Sequence, residues 1–546
     1  MTQRLLQLDD LSFELPDGRV LFDHLSHTFS TGATGIVGAN GCGKSLLGRL
    51  LAGEQRPTRG IVRREGRVYA VAQILEPERY PSVAALAGVE HILAALERIA
   101  RGSLDDDDHS LAVDQWDCAA RLETHLQQIG LGHLSADART DNLSGGERQQ
   151  VALLGAWLSK ADWLVLDEPS NHLDIDRQHQ LTQQIARWPN GLVLISHDRG
   201  LLEQVDEIVE LSALGLRTYG GNYSQYAAAR EQEQQSLQSV LQGARAQAKR
   251  EQRERVVQME RQQRRNARGD RQAREGSQTK LITNAQKERS ENSQGKSRLN
   301  QQLAREQQRQ RIADVQARCA PDIERVMVSP QSVVPNGKLV VQLNDVILPF
   351  GNAAPINLTL TGPMRLAIVG PNGSGKSTLL QVIAGHLSVR EGEVIRTCPV
   401  GWLDQHAGLQ FPERTAVQWL YESNPELPEA EARTRLAQLG IDADRAVLQG
   451  CQLSGGERLK IALAAQLYAQ QPPQLLLLDD PDNHLDLPSK IALENMLDQY
   501  QGALIVVSHD EAFLSQLRLD SHLTLHASAL LPPPQGEGWG EGAMRR

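Results

Sequence analysis

Two glycine-rich segments of the chain carry the residue types that hold phosphate groups in proteins. Residues 38–45 read GANGCGKS and residues 370–377 read GPNGSGKS. Each follows an apolar run that predicts a buried strand and precedes a helical pattern, so its backbone N–H groups can surround phosphate oxygens at a helix N-terminus. Lys44 or Lys376 can reach the β- and γ-phosphates, and the serine that follows can bind Mg²⁺. The pattern predicts two sites for a nucleoside triphosphate.

Two pairs of acidic residues stand at the ends of apolar runs, where they could assist a hydrolysis. The pairs are Asp167-Glu168 and Asp479-Asp480. The first carboxylate can hold Mg²⁺ through water, and the second can orient or deprotonate an attacking water. Such a pair is, taken alone, more often the N-cap of a helix. Here each pair follows a glycine-rich segment by more than a hundred residues and precedes a histidine by about thirty, an order that favours catalysis.

The glycine-rich segments belong to an internal repeat. Three further motifs occur twice in the same order: LSGGER at 143–148 and 453–458, NHLD at 171–174 and 483–486, and SHD at 196–198 and 508–510. We call LSGGER the signature and the glycine-rich segments the first and second phosphate loops. The chain therefore contains two copies of a module of about 200 residues. The first copy holds about 22 additional residues between its phosphate loop and its signature.

Length and composition limit the class of protein. A chain of 546 residues allows three or four domains at roughly 150 residues each. Apolar residues make up 40% and charged residues 23%, and no run of apolar residues is long enough to span a membrane. The five scattered cysteines lack metal-ligand spacing and fit a reducing compartment. Because the first residues also lack the apolar core of a secretory signal, we expect a cytoplasmic protein.

A basic segment lies between the two copies. Residues 227–325 hold 22 Lys and Arg against 13 Asp and Glu, although the whole chain has a net charge of −10, so the remainder carries −19. The segment is rich in the helix-forming residues Gln, Arg, Glu and Ala. We expect two long helices of about 35 residues that form an antiparallel hairpin with its turn near 269–295.

The middle of this segment is the predicted RNA contact. Residues 261–298 hold 11 basic and 4 acidic residues and no aromatic residue. Contact with phosphates and recognition of RNA shape are therefore expected instead of base stacking. A solvated charged segment is the alternative. The arginines predicted to contact RNA are Arg261, Arg264, Arg265, Arg268, Arg271 and Arg274.

The additional residues of the first copy predict a small helical insert. Apolar residues at helical spacing, including Leu86, Leu93 and Leu96, predict an amphipathic helix over 86–100. Four aspartates follow at 105–108. This acidic run would repel RNA, so we expect a solvated loop there, with contact to another protein as the alternative.

The order of these motifs resembles the nucleotide-binding domain of ABC ATPases. Two such domains in one chain, NHLD after the acidic pair and the basic linker resemble the ABC-F branch, which acts on ribosomes and not in transport. The resemblance covers roughly 1–226 and 336–526. It implies an α/β fold with two P-loop ABC-type nucleotide-binding domains joined by a long, basic α-helical hairpin linker. The implied segments are 1–226 with a short arm-like insert at about 76–140, the linker 227–335, the second domain 336–526 and a disordered tail 527–546.

The resemblance also implies the site residues. The two domains of a monomer would pair head to tail around two ATP molecules with Mg²⁺, each between one phosphate loop and the opposite signature. The implied ATP-binding residues are Gly38, Asn40, Gly41, Gly43, Lys44, Ser45, Ser144, Gly145, Gly146, Gly370, Asn372, Gly373, Gly375, Lys376, Ser377, Thr378, Ser454, Gly455 and Gly456. The implied metal-site residues are Ser45, Gln73, Asp167, Ser377, Gln405 and Asp479. The implied catalytic residues are Glu168, His197, Asp480 and His509.

Three positions depart from the family pattern. Asp480 stands where the family has Glu, and because its carboxylate is one methylene shorter we expect the second site to hydrolyse ATP more slowly, unless the backbone shifts to compensate. Ser170 and Asp482 stand where Thr is usual. The residue that stacks on adenine is not fixed by the sequence. Phe350 is a candidate in the second copy, and Leu15 or Phe13 is a candidate in the first.

The expected function is a ribosome-bound ATPase. ATP binding and hydrolysis would switch the linker on ribosomal RNA or tRNA, in translation regulation or ribosome protection. One alternative is the soluble ATPase subunit of a transporter with a separate membrane partner, but such a role does not explain the basic linker. A DNA-repair ATPase is a further alternative, although the cysteine pattern and the linker length do not fit its zinc modules or very long coiled coils.

Overall fold

The computed structural model describes residues 4–171, 173–212, 214–275, 306, 332–404, 413–483 and 485–526. The chain divides into two compact units. One is made of Met1–Ser224 with Ile323–Arg546, and the other of Gln225–Asp322. The first unit holds both copies of the repeat. We call the copy within 4–224 the first cassette and the copy within 332–526 the second cassette. Gln405, the tail 527–546 and the returning half of the predicted hairpin lie outside the described residues.

The first cassette is built on two sheets. A three-stranded antiparallel sheet has the order β2-β1-β4, and a larger sheet has the order β5-β6-β7-β3-β8-β9 in the described part of the chain. The larger sheet is parallel except for the pair β8 and β9. Its inner strands are continuous apolar runs because helices cover both faces. The strands are β1 (Leu5–Glu14), β2 (Val20–Phe29), β3 (Ala33–Gly38), β4 (Arg59–Glu65), β5 (Val68–Val71), β6 (Trp163–Asp167), β7 (Gly191–Ile195), β8 (Glu207–Ser212) and β9 (Gly215–Gly220).

The helices of the first cassette place the motifs at the ends of these strands. The first phosphate loop joins β3 to α1, as the sequence predicts, and the signature begins α6. The helices are α1 (Lys44–Ala52), α2 (Val83–Leu86), α3 (Glu90–Ala100), α4 (Asp106–Ala112), α5 (Cys118–Gln128), α6 (Gly145–Leu158), α7 (Ile175–Ala186) and α8 (Arg199–Leu202), with a 3₁₀ turn at Thr140–Asn142.

The insert differs from its prediction. The expected helix over 86–100 is two helices, α2 and α3, separated by a turn at which Gly88 has φ of 67°. The expected acidic loop is helix α4, whose N-cap Asp105 accepts a hydrogen bond from the N–H of Asp107. Asp108 is buried and accepts a 2.9 Å hydrogen bond from Nε of Arg98. Aspartates at a helix N-terminus are stabilised by capping and by the helix dipole, so the prediction of a loop is wrong, although Asp105, Asp106 and Asp107 are exposed as expected.

The second cassette repeats this plan. Its sheets have the orders β11-β10-β13 and β14-β15-β16-β12-β17, and the latter matches β5-β6-β7-β3-β8 of the first cassette. The strands are β10 (Leu339–Ile347), β11 (Ile356–Thr361), β12 (Arg365–Val369), β13 (Glu391–Arg396), β14 (Val400–Leu403), β15 (Leu475–Asp479), β16 (Ala503–Val507) and β17 (Ser521–Thr524). The helices are α10 (Lys376–Ala384), α11 (Ala416–Ser423), α12 (Glu429–Gln438), α13 (Ala443–Ala446), α14 (Gly455–Leu467), α15 (Leu487–Gln499) and α16 (Glu511–Gln516), with a 3₁₀ turn at Gly450–Gln452. The internal repeat is therefore confirmed.

The linker begins with one long helix, α9. All but its first two residues belong to the second compact unit. It extends over Tyr223–Glu275, 53 residues or about 80 Å, and is longer than the 35 residues predicted. The helix passes through Gly269, since one glycine in a helix interior costs only about 1 kcal/mol. Arg261 and Arg264 are exposed on it, and Arg265, Arg268, Arg271 and Arg274 belong to the same helix. None of the described helices has the length and the apolar composition needed to cross a membrane.

Candidate nucleotide-binding sites between the two cassettes

The first phosphate loop is shaped around its lysine. Gly43 precedes helix α1 with φ of 100°, a left-handed conformation that favours glycine. Nζ of Lys44 donates hydrogen bonds to the carbonyl oxygens of Gly38 at 2.8 Å and Ala39 at 3.0 Å. The loop thus places the Lys44 ammonium at the N-terminus of α1, and a helix N-terminus of this kind is the arrangement that binds phosphate oxygens.

The second phosphate loop has the same geometry. Nζ of Lys376 donates to the carbonyl oxygens of Gly370 at 2.8 Å and Pro371 at 3.0 Å, and Gly375 has φ of 93°. The backbone of Gly351 lies directly against this loop, because a Cβ atom on Gly351 would stand 2.6 Å from Cα of Gly375. Phe350, the residue before it, is thereby held beside the second loop.

The oxygen atoms beside each loop suit a magnesium ion. Oγ of Ser377 donates a 3.1 Å hydrogen bond to Oδ1 of Asp479, and Ser45 makes the corresponding contact to Asp167. Burial raises the pKa of both aspartates. Oδ1 of Asp167 has no hydrogen-bond partner within the part of the chain that the structure describes. Buried hydroxyl and carboxylate oxygens are the donors that Mg²⁺ prefers, so these residues fit the ion.

Glu168 and His197 form the first acid–histidine pair. Glu168 follows β6 with φ of 48°, a strained conformation for a side chain of this size. Its Oε1 lies 3.5 Å from Nε2 of His197. Burial and the adjacent Asp167 raise the pKa of Glu168 to about 8. Burial and the ammonium of Lys44 lower the pKa of His197 to about 3, so the imidazole is neutral at neutral pH.

Asp480 and His509 stand at the corresponding positions of the second cassette. Asp480 follows β15 with φ of 44°, almost the same as Glu168. Burial and the carboxylates of Asp482 and Asp479 raise the pKa of Asp480 to about 8. Burial and Lys376 lower the pKa of His509 to about 4. The two acidic residues therefore share a backbone conformation and a raised pKa, and the two histidines share a lowered pKa.

Both sites open on one cavity of about 1470 Å³ between the cassettes. Most of the residues predicted from sequence line it. These are Asn40, Gly41, Gly43, Lys44, Ser45, Gln73, Ser144, Gly145, Gly146, Asp167, Glu168, His197, Asn372, Gly373, Gly375, Lys376, Ser377, Thr378, Asp480 and His509. Gly38, Gly370 and Asp479 are not in this lining, and Gln405 is outside the described residues.

The two signatures differ in their exposure to the cavity. Ser144, Gly145 and Gly146 of the first signature line it together with the second phosphate loop. From the second signature Arg458 lines it, whereas Ser454, Gly455 and Gly456 are not in its wall among the described residues. Gly456 is covered by Ser489, whose Oγ would clash with a Cβ atom added to Gly456. The structure thus brings one predicted signature into the common cavity.

Each signature begins a helix through a capping box. The side chain of Ser144 accepts a hydrogen bond from the N–H of Glu147, and Glu147 in turn accepts one from the N–H of Ser144 at 2.8 Å. Ser454 and Glu457 repeat both bonds. The signature residues therefore stand at a helix N-terminus, where unpaired N–H groups and the helix dipole favour an anion.

A hydrogen bond joins the first phosphate loop to the opposite cassette. The N–H of Asn40 donates to Oδ2 of Asp486 at 2.8 Å. Asp486 is also the N-cap of α15, where its Oδ1 accepts from the N–H of Ser489 at 3.0 Å. One carboxylate therefore caps a helix of the second cassette and contacts the phosphate loop of the first.

A buried charge cluster at this interface was missed in the sequence. Nζ of Lys490, a residue with 7% of its surface exposed, lies 2.7 Å from Oδ2 of Asp510 and 3.9 Å from Oδ2 of Asp482. Oδ1 of Asp482 accepts a 2.7 Å hydrogen bond from Ser508. Residue-by-residue comparison of the two copies could have found the cluster, since the first cassette has the neutral residues Gln178 and Ser170 in place of Lys490 and Asp482.

The candidates for adenine stacking all line the cavity. Phe350 is 36% exposed and stands beside the second phosphate loop, whereas Phe13 is buried and its neighbour Leu15 is half-buried. The second site therefore has an accessible aromatic ring, and the first offers Leu15 with a more deeply packed Phe13.

Comparisons with known proteins agree with this architecture. The family model described as ABC transporter matches residues 22–171 and 353–483. The tylosin resistance ATP-binding protein TlrC of Streptomyces fradiae is 31% identical, over 93% of this chain and 95% of its own length. The energy-dependent translational throttle protein EttA of Mycobacterium tuberculosis is 29% identical, over 91% of this chain and 87% of its own.

A solved structure has the same fold. The archaeal ribosome recycling factor aABCE1, in its complex with the stalk protein aP1, aligns with a TM-score of 0.55 and 20% identity, over 94% of this chain and 87% of that chain. The family model covers more than half of the present sequence, and one relative is 31% identical along nearly its entire length. The chain therefore belongs to the ABC ATP-binding cassette family, in its ABC-F branch.

Proposed function

We propose that this protein is a monomeric, cytoplasmic ATPase that acts on the ribosome. It binds two ATP molecules with Mg²⁺ between its cassettes, and their hydrolysis changes the contact of the basic linker with ribosomal RNA or tRNA. The name of the relative EttA, an energy-dependent translational throttle, supports a role in translation. Regulation of translation and protection of the ribosome are both compatible with this proposal.

The observation that carries the proposal is the common cavity. Lys376 of one cassette and Ser144–Gly146 of the other line it together, so a nucleotide held by the second phosphate loop would contact both cassettes. Its terminal phosphate would bring the signature N–H groups of one cassette to the loop of the other. Removal of that phosphate would cancel this attraction, which makes hydrolysis a switch of the distance between cassettes.

Different residues of each site have different roles in the hydrolysis. Lys44 or Lys376 binds the outer phosphates, and the neighbouring serine and aspartate would hold Mg²⁺, which would supply charge neutralisation at the phosphates. Glu168 in its ionised form accepts the proton of the attacking water, and its raised pKa makes that carboxylate a stronger base. His197 is neutral and lies next to Glu168, so it can orient that carboxylate or the water without repelling Lys44.

The second site should be the slower one. Glu168 and Asp480 have φ of 48° and 44°, and their N–H groups donate to equivalent carbonyl oxygens at 2.8 and 2.9 Å. The backbone therefore does not shift to compensate for the shorter side chain of Asp480. A catalytic carboxylate displaced by about 1 Å can lose on the order of 10²-fold in rate.

The linker helix supplies the proposed RNA contact. Arg261 and Arg264 are exposed on α9 one helical turn apart, and four further arginines follow within ten residues of Arg264. A row of guanidinium groups on a helix can track phosphates without reading bases. Binding through such contacts weakens steeply with salt, which makes it measurable.

Ribosome cosedimentation tests the proposal. The double substitution Glu168→Gln with Asp480→Asn should allow ATP binding and block hydrolysis. This variant should cosediment with 70S ribosomes when ATP is present and not when ADP replaces it. Neutralising Arg261 and Arg264 to Gln should weaken cosedimentation and reduce the slope of log affinity against log salt by about one per lost phosphate contact.

A control variant separates linker contact from overall charge. Arg63 and Arg518 are exposed arginines of the two cassettes, and replacing both with Gln removes the same charge from outside the linker. Made in the Glu168→Gln, Asp480→Asn variant, this control should leave the slope of log affinity against log salt unchanged. If the Glu168→Gln, Asp480→Asn variant itself does not bind ribosomes at low salt, the ribosome proposal is wrong, and a search for a membrane partner would follow.

A further inference from the structure

The residue that follows the NHLD motif by three positions differs between the cassettes. Arg177 donates its backbone N–H to Oδ1 of Asp174 at 3.1 Å, within the N-cap of α7. Ser489 makes the same backbone contact to Asp486 at the start of α15. The two residues therefore occupy equivalent backbone positions, but one carries a guanidinium and the other a short hydroxyl.

The guanidinium of Arg177 lines the cavity, and its hydrogen-bond donors are not used within the described part of the chain. Its side chain is 32% exposed and lines the cavity, and its Nε lies 3.8 Å from Oδ2 of Asp174, too far for a hydrogen bond. Within the described part of the chain, no hydrogen bond of this side chain is present. Five N–H donors in a planar fork are thus available to a ligand with several oxygen atoms.

Neighbouring residues place Arg177 at the second site. Burial lowers the pKa of Lys376, and the carboxylates of Asp480 and Asp174 act against that shift, so the start of α7 lies near the second phosphate loop. Arg177 also acts electrostatically on Glu147, which closes the capping box of the first signature. Arg177 therefore lies beside the signature that shares the cavity with Lys376.

The second site has a more negative set of side chains than the first, so an additional cation would favour phosphate binding there. Its acidic residues include Asp404 and Asp482. The charge of Asp404 raises the pKa of Asp479, and the charge of Asp482 raises the pKa of Asp480. The first cassette has the uncharged residues Ala72 and Ser170 at the positions of Asp404 and Asp482. A triphosphate that enters the second site thus meets two carboxylates that the first site lacks. Lys490 already lies 3.9 Å from Asp482, so it is the added charge of Asp404 whose repulsion toward the phosphates a further cation would reduce.

We propose that Arg177 of the first cassette binds the terminal phosphate of the nucleotide held by the second phosphate loop, a contact that the first site lacks because Ser489 stands in its place. The inference rests on the proposed function, since it assumes that the second loop binds ATP. A guanidinium beside the signature can form paired N–H···O bonds with phosphate oxygens. It would hold ATP and not ADP, and would thereby make closure at the second site dependent on an intact triphosphate.

Nucleotide binding at the second site alone tests the proposal. The background variant carries Lys44→Ala, which weakens the first site, and Asp480→Asn, which blocks hydrolysis at the second. Fluorescent mant-ATP and mant-ADP are titrated into this variant with and without Arg177→Ser, which installs the side chain that the second cassette has. We expect Arg177→Ser to raise the Kd for mant-ATP about tenfold and the Kd for mant-ADP less than about twofold. Arg177→Lys should restore part of the affinity for mant-ATP.

A mirrored variant provides the control. In a background with Lys376→Ala and Glu168→Gln, which leaves the first site to bind nucleotide, Ser489→Ala should leave both Kd values unchanged. If Arg177→Ser leaves the Kd for mant-ATP unchanged, or weakens both nucleotides equally, the terminal-phosphate contact is refuted and the ATPase proposal stands. If neither background binds mant-ATP, the ATPase proposal fails and this inference fails with it.

Discussion

Nη1 of Arg199 in the first cassette lies 2.8 Å from Oε1 of Glu494 in the second cassette, and only 10% and 11% of the two side chains are exposed. The same guanidinium lies over the ring of Tyr223, 5.8 Å from its centroid, and Tyr223 is the first residue of the long linker helix. One buried ion pair therefore joins the two cassettes beside the residue at which the linker begins.

Loss of one partner of this pair should destabilise the protein strongly. Glu494→Gln removes the closest counter-charge of the buried Arg199, on which Asp510 acts more weakly, and we expect the free energy of unfolding to fall by about 3 kcal/mol. Urea unfolding followed by circular dichroism measures the change. As a control, Glu429→Gln removes an exposed pair with Arg433, with 64% and 42% of the side chains exposed, and should cost less than about 1 kcal/mol. Equal losses in the two variants would contradict the assignment.

Lengthening the second catalytic carboxylate should accelerate the second site. In a Glu168→Gln background, which silences the first site, Asp480→Glu places the carboxylate where its counterpart stands on an equivalent backbone. We expect steady-state ATP turnover to rise by about tenfold or more. The matched change is Glu168→Asp in an Asp480→Asn background, which should lower turnover by a similar factor. An unchanged rate in the first experiment would show that side-chain length does not limit the second site.

The sequence predicted the local elements of the sites well, because those elements are dictated by short-range chemistry. The GANGCGKS segment does join β3 to α1, since glycines allow the left-handed turn at Gly43. The acidic pairs do follow buried strands. The sequence also indicated the asymmetry at Asp480, because the two copies serve as references for each other.

Tertiary contacts of charged side chains were not predictable in the same way. Lys490 lies in a helix whose sequence gives no sign of burial, and only its three-dimensional neighbours Asp510 and Asp482 explain why a lysine is 7% exposed. The acidic run 105–108 was misread because a run of like charges usually indicates a solvated segment. Here Asp105 caps α4 and Asp108 pairs with Arg98, which only the tertiary structure shows.

The capping box of the second signature should contribute measurably to stability. Ser454→Ala removes the side-chain acceptor for the N–H of Glu457, and we expect the free energy of unfolding to fall by about 1 kcal/mol. Ser515→Ala, in an exposed stretch of α16 where the hydroxyl donates to the carbonyl of Ala512, is the control and should be nearly neutral. Ser454→Thr retains a capping hydroxyl and should recover most of the loss. A neutral Ser454→Ala would indicate that the helix start is held by other contacts.

The buried Asp482 should make stability depend on pH. Burial raises the pKa of Asp482 to about 6, against the opposing charge of Lys490 and with the support of Asp510. Ser508 donates to its Oδ1, and Asp480 is the further carboxylate that it faces. Because the folded state holds this proton at pH values where the unfolded chain has lost it, the contribution of Asp482 to stability decreases as the pH rises from about 4 to about 6.

Asp482→Ser, which installs the residue of the first cassette, should remove this dependence. We expect the stability of the variant relative to the parent to increase by about 2–3 kcal/mol between pH 4 and pH 7, at about 1.4 kcal/mol per unit of pKa shift. Lys490 keeps Asp510 at 2.7 Å as its counter-charge in the variant, so no buried cation is left unpaired. Urea unfolding of both proteins across that range, without nucleotide, measures the difference. A constant difference between the two proteins would show that Asp482 ionises with an ordinary pKa, and an opposite slope would show that Lys490 outweighs the effect of burial.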